Sequence, residues 1–464
     1  MTDYSMKELE RWNEIIENKA REFGLNYYEQ EFEIVSYEDM ICYEAYIGMP
    51  SHYPHWSYGK AYERIKTLNR YNLTGLPYEM VINSDPCIAY LMKDNTLLLQ
   101  ILTIAHVYGH NDFFKNNRLF KQGTRADCAV EMFKNHADRI REYISEPGIG
   151  YGKVEKILNA AHAIRYQTLR VAGEKLVSEE EKRRNLFRRF ERPQSDHPLL
   201  ERIEKQNEDQ LPLNLKKIPV EPQEDVLLFI ATYGRLRDWE KDILRIVRDE
   251  TMYFIPQIET KIMNEGWASF WHYTILNSLE LPQGLHFEFL KRHNQVIKPI
   301  EGRINPYYVG FKIFEDLVRK NNGDYGKIFE VREVERDQSF LRRYLTYELC
   351  SEMNLFEYMK LGNEYVITDV SDQEGWREVR DTLAMSSGMG GIPVIKVIEW
   401  VQKDNTLILE HQYDGRELEM ANAYETIKHV VDLWDGKVML ATIIDDKRKI
   451  LICDEQKKVS MVSA

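Results

Sequence analysis

No Cys-x-x-Cys pair occurs in the 464 residues, and the five cysteines (Cys42, Cys87, Cys128, Cys350, Cys453) are scattered and odd in number. That argues against a disulfide framework and against a thiolate zinc site, leaving reduced cysteines as core filler. Positive charge is also short, with a formal net charge of −13. Neutralising phosphates takes an excess of Lys and Arg, so the charge argues against broad nucleic-acid binding. Long apolar runs are missing too. Leu97–Val107 is the longest; it falls short of the ~18 residues of a membrane span and contains Gln100 and His106. The opening segment, MTDYSMKELERWNEIIENKAREFGL, is amphipathic and acidic. It lacks the basic start, apolar stretch and small-residue cleavage site of a signal peptide, so a cytoplasmic protein is expected. Gly388–Gly391 lacks the Lys-Ser/Thr of a phosphate loop and reads as a turn.

What is present is ordinary globular material, 43% apolar and 30% charged. Three-four apolar spacing predicts helices through most of 1–360, including Met6–Phe23, Ala61–Asn69, Arg125–Tyr143 and Gly152–Gln167. Pro256 is expected to interrupt, with a fresh helix over Gln257–Leu276, and Arg332–Met359 reads as helical. A block of both charge signs, EEEKRRNLFRRFERPQ, opens a polar connector over about 177–222. After about Leu361, β-branched runs alternate with helical stretches. The expected fold is thus a mainly α-helical large domain over 1–360, followed by a small α+β domain over 365–464.

The stretch placed for chemistry is TLLLQILTIAHVYGHNDFFKNN, Thr96–Asn117. His106 and His110 stand four residues apart on an apolar helix, so both rings leave one face, one turn apart. Helices offer two imidazoles to a metal in this way. A third ligand must come from elsewhere, and Glu265 in MNEGWASFWH is the candidate. A carboxylate among Ile262, Trp267, Phe270 and Trp271 needs a partner, either a divalent cation or an arginine such as Arg245 or Arg248. Two histidines and one carboxylate leave open coordination positions, the catalytic pattern, with zinc expected and iron the alternative. A zinc peptidase helix would read His-Glu-x-x-His, but Val107 follows His106. The inverted form fails as well, because Gly109 stands where its Glu would be. A base would then come from Asp112, His272 or His55. His272 lies two turns from Glu265 and suits an outer-shell or acid–base role, and His293 is a weaker candidate of that kind. His55 and Lys60 sit in GMPSHYPHWSYGK, a loop composition that can line a pocket.

These blocks resemble one family. HVYGHNDFFKNN from His106, HWSYGK from His55, MNEGWASFWH from Met263 and INPY from Ile304 are similar to the signature regions of the SpoVR (stage V sporulation protein R) proteins. The resemblance implies a role in spore cortex formation, in the mother cell if the source forms spores. It also implies protein partners, a serine protein kinase and a von Willebrand-type protein. It supplies a process and no reaction.

Two functional readings follow. The first is a metal-dependent enzyme with a zincin-like helical core, hydrolysing an amide or peptide bond. The second is a non-enzymatic scaffold or regulator that presents its surfaces to the kinase-type partner, the histidines being a structural remnant.

Overall fold

The computed structural model describes residues 4–71, 79–170, 177–190, 217–299, 304–355, 357–361, 364–369 and 375–463. Its first half runs α1 (Met6–Glu22), β1 (Gln30–Val35), α2 (Tyr37–Ala45), α3 (Trp56–Arg70), β2 (Glu79–Ile82), β3 (Cys87–Met92), α4 (Leu97–Asn116), α5 (Arg118–Gly123), α6 (Ala129–Ser145), α7 (Tyr151–Ala163) and α8 (Glu179–Phe190). There follow α9 (Val226–Tyr233), α10 (Asp238–Glu259), α11 (Lys261–Ser278), α12 (Gln283–Val296), α13 (Pro306–Lys320), α14 (Gly326–Val334), α15 (Asp337–Tyr344) and α16 (Tyr347–Glu352). The last part runs β4 (Glu357–Leu361), β5 (Glu364–Asp369), α17 (Trp376–Ser386), β6 (Ile395–Val401), β7 (Thr406–His411), α18 (Met420–Trp434), β8 (Val438–Ile444), β9 (Lys447–Cys453) and β10 (Val459–Ser463). The mainly helical body with a smaller strand-bearing end is as the sequence predicts. None of the described helices is long and apolar enough to cross a membrane.

Packing divides the chain into two units, each made of two stretches: residues 1–146 with 252–391, and 147–251 with 392–464. The compositional step near Leu361 marks where helices give way to strands. Packing follows a different line, because α7 packs on α18 and α9 packs on β6. In that second unit Lys156 meets Asp432 at 3.0 Å, Phe229 stacks on Trp434, and Gln223 bridges to Val397. Its five strands lie in the order β10-β9-β8-β7-β6, with β7 and β8 parallel and joined through α18.

The first unit is built around α4. This helix is apolar nearly all round and is buried on every side, from Leu98 through Phe114. It packs on α1 and on α11, and α11 packs on α13. Two glycines set these spacings. A Cβ on Gly109 would stand 2.7 Å from Cα of Ala268, and one on Gly266 would stand 2.3 Å from Cα of Gly310. Trp267, Trp271, Phe314 and Phe340 fill the core around the crossing. A small sheet, β1-β3-β2, joins α4 at one side through β2 and β3.

Two local expectations differ from the structure, and one strand has no counterpart in the sequence reading. Pro256 does not end a helix: α10 runs through it to Glu259, and the break falls at Thr260. There the buried Asp337 carboxylate accepts from the backbone N–H groups of Ile262 and Met263 at 2.8 and 2.9 Å, giving α11 its own start. Arg332–Met359 is not one helical stretch. It holds the end of α14, then α15 and α16, then the start of β4, because Asp337 is turned to the α11 terminus instead of continuing α14. Cys87–Met92 forms the central strand of the small sheet, paired on both edges. Its continuous apolar run has no alternation to announce it. Of the charged connector, α8 is described and residues 191–216 lie outside the described residues.

Candidate metal centre

Because His106 and His110 are one turn apart on α4, their rings lie side by side, with centroids 4.6 Å apart. Both are buried, at 3% and 6% exposure. The close α4–α11 crossing at Gly109 brings the next helix's polar residues onto this pair. Glu265 Oε2 stands 3.9 Å from Nε2 of His106 and 3.6 Å from Nε2 of His110. Glu79, the first residue of β2, approaches the same nitrogen, its Oε1 3.8 Å from Nε2 of His106. Glu79, His106 and His110 present three ligand atoms within 4.8 Å of one another.

These gaps decide how the groups interact. An N–H···O bond needs about 2.7–3.2 Å, so none of the three contacts is a hydrogen bond. Two ligand atoms held about 2.0–2.1 Å from one tetrahedral ion lie roughly 3.3 Å apart. The observed separations fall just outside that value.

The far side of each ring is engaged. Nδ1 of His110 is 2.9 Å from Oδ1 of Asn264, an acceptor, so this ring carries its proton on Nδ1 and turns a bare Nε2 inward. Nδ1 of His106 is 2.9 Å from Nδ1 of His272, whose Nε2 is in turn 2.8 Å from Nδ1 of His293. Nε2 of His106 is buried with no hydrogen-bond partner. An unpartnered buried nitrogen costs about 1–3 kcal/mol unless something fills the gap before it. The donor set of two imidazoles and two carboxylates fits a divalent cation of the zinc or iron type.

The electrostatics separate the members. Burial, with His106 close by, pushes His110 down to about 4. Burial and the neighbouring rings of His106, His293 and His110 hold His272 well below its ordinary value, and burial pushes His293 down to about 4. His110, His272 and His293 are therefore held neutral, and for His110 that is the form that ligates. The two carboxylates move apart. Burial raises Glu79, with Glu265 adding to the rise and His106 opposing it. For Glu265 the upward push of burial is outweighed by His106, His110 and Lys261, and it lies below the ordinary carboxylate range. Glu79, Glu265, both imidazoles, Glu44 and Tyr307 are among the residues lining a cavity of about 550 Å³.

His106, His110, Glu265 and His272 are thus brought to one place. Asp112 is two residues beyond His110 but points away. Fully buried, it accepts from Arg332 at 2.7 Å, the Asn26 N–H at 2.8 Å, Trp267 Nε1 at 2.9 Å and Asn116 at 3.3 Å. His55 is also elsewhere. It caps α3, its Nδ1 3.3 Å from the Ser57 N–H and 2.6 Å from Ser57 Oγ, and it does not line the cavity. Lys60 lies over the Trp56 ring. Among the described residues Glu265 pairs with no arginine, and Arg248 is taken by Asp225 at 2.7 Å. Sequence reasoning missed Glu79 and Asn264. Asn264 adjoins Glu265 and was within reach. Glu79 opens a short strand, and no spacing rule ties that strand to α4.

The comparisons agree with the blocks that carry this site. Residues 3–392 match the model of SpoVR like protein, and residues 393–445 match that of the SpoVR-like C-terminal domain. "Uncharacterized protein YcgB" of Escherichia coli (strain K12) is 34% identical, over 92% of this chain and 90% of that protein. No solved structure matches. With a family model spanning the site-bearing helices and a relative similar along nearly its whole length, this chain belongs to the SpoVR family.

Proposed function

We propose that this protein is a metal-dependent enzyme with a zincin-like helical core, hydrolysing an amide or peptide bond. One observation carries the reading: two buried imidazole nitrogens and two carboxylate oxygens face one another across gaps of 3.6–3.9 Å, too wide for hydrogen bonds and close to the spacing of ligands around an ion. His106, His110 and Glu265 would hold the ion, Glu265 because its charge is favoured beside the two rings. A bound zinc or iron ion supplies Lewis acidity and lowers the pKa of water. Glu79 fills the post that Val107 leaves empty. Its raised pKa and its position next to His106 suit a general base, and two carboxylates set apart by their surroundings are the arrangement that such a division of labour requires. The cavity of about 550 Å³ is of the size that takes a small ligand or a few peptide residues.

Elemental analysis of the purified full chain tests this directly. About one equivalent of zinc or iron per chain is expected, lost in a folded His106→Ala/His110→Ala variant. Glu79→Gln should keep its metal and lose roughly 10²–10⁴-fold in turnover of an amide or peptide substrate. A chain that stays metal-free after zinc- and iron-supplemented purification would end the enzymatic reading in favour of the scaffold.

A further inference from the structure

Three imidazoles stand in line behind the cluster: Nδ1 of His106 to Nδ1 of His272 at 2.9 Å, then Nε2 of His272 to Nδ1 of His293 at 2.8 Å. All three are nearly inaccessible, at 3%, 0% and 2% exposure. Their surroundings are apolar and aromatic: the His293 ring lies 4.5 Å from Tyr273 and 5.0 Å from Phe311. A nitrogen–nitrogen contact of this length holds one proton, shared by a donor and a bare acceptor. Fixing one ring's tautomer therefore fixes the next.

We infer that His272 and His293 are positioning residues that hold His106 with its proton on Nδ1 and its Nε2 lone pair aimed at the ion. The inference rests on the proposed metal centre and adds to it the groups that set the ligand's tautomer. If Nε2 of His106 ligates, Nδ1–H of His106 donates to Nδ1 of His272. Nε2–H of His272 then donates to Nδ1 of His293. The chain of protons has one direction, starting at the ion. His110 is set differently, by the carbonyl oxygen of Asn264. The two ligand rings therefore rest on unlike supports, an imidazole and an amide. A neutral imidazole accepts without drawing the proton off His106. A carboxylate in its place would pull toward imidazolate and weaken the ion as an electrophile.

The test is zinc affinity by competition with a chromophoric chelator, on the full chain and on four folded variants. His272→Leu removes the acceptor and should weaken zinc by roughly 10–100-fold. His272→Asn places an oxygen near the lost Nδ1 and should recover affinity to within about threefold, which a merely structural role would not predict. His293→Leu should weaken zinc less than His272→Leu. Because His293 acts only through His272, the double variant should be no worse than His272→Leu alone. Cobalt-substituted wild type should show two exchangeable, shifted N–H resonances, one for each ligand ring, and His272→Leu should lose one. If wild type binds zinc but His272→Leu binds equally well and keeps both resonances, this inference falls and the metal centre stands. If His272→Leu and His293→Leu add independently, the serial arrangement is overturned. If wild type binds neither zinc nor cobalt, both readings fall together.

Discussion

At the scale of single residues, Asp112 and Glu265 show how neighbours decide what a buried carboxylate is for. Both come from the blocks that resemble the family, and both sit close to the imidazole pair in sequence or in space. Asp112 is saturated by four nitrogen donors, and Arg332, which lies over Trp267 and Phe329, has the carboxylate as its counter-ion. Glu265 faces two imidazoles at distances too long to bond, with Lys261 adding to the pull on its charge. The two should respond to substitution in opposite ways. Asp112→Ala leaves the Arg332 charge buried and uncompensated, and is expected to cost about 3–5 kcal/mol in denaturant unfolding. Metal content per folded chain should not change. Glu265→Gln should do the reverse, lowering metal affinity with little effect on the unfolding midpoint of the metal-free protein. A large loss of metal in a folded Asp112 variant would place Asp112 at the centre after all.

At the scale of elements, the site is a consequence of how closely α11 crosses α4. Gly109 occupies the position where an inverted zinc motif carries its glutamate. The structure gives the reason: any side chain there meets the Ala268 backbone, at 2.7 Å for the Cβ alone. A base on that face of α4 and the close approach of Glu265 are mutually exclusive, and this chain has the approach. Gly109→Ala should therefore destabilise by roughly 1–3 kcal/mol and lower metal affinity by moving Glu265 outward. Gly59, inside α3, has nothing within 4 Å of its would-be Cβ. Gly59→Ala should instead stabilise by about 0.5–1 kcal/mol. Equal effects at the two positions, by urea unfolding, would refute the close-crossing argument.

The same elements show what could be read beforehand. The period of Leu99, Leu102, His106, His110 and Phe114 placed both imidazoles on one inward face, and apolar surroundings marked Glu265 as a carboxylate in need of a partner. Those are local signals. Glu79 is four residues N-terminal to Asn83 on a strand of its own, and its place beside His106 depends on β2 pairing with β3 and packing on α4. No pattern within β2 encodes that. The continuous α10 through Pro256 and the break at Thr260 were likewise hidden, because the residue that starts α11 is Asp337, more than seventy positions away.

At the scale of the whole molecule, the buried imidazoles tie global stability to pH. His110 and His293 are pushed down to about 4, and His272 lies well below its ordinary value. In the unfolded chain each titrates near 6.5. Between these values the unfolded state binds more protons than the native one, so stability rises with pH. The contribution is complete above about 6.5 and is lost as pH falls toward 4. Glu79 works the other way: its raised pKa gives a contribution that is complete below the ordinary carboxylate value and fades as pH rises. A bare pH profile mixes the two, and a difference separates them. Removing one imidazole, as in His293→Leu, deletes its own burial-driven term, while burial, the largest cause, still holds His272 down. The stability gap between metal-free wild type and that variant should therefore shift by about 3 kcal/mol between pH 7 and pH 4, with wild type losing ground in acid. Guanidinium unfolding at four or five pH values measures it. A gap that stays constant over this range would mean that His293 is not held neutral in the folded protein, and the row of neutral rings behind His106 would lose its outer member.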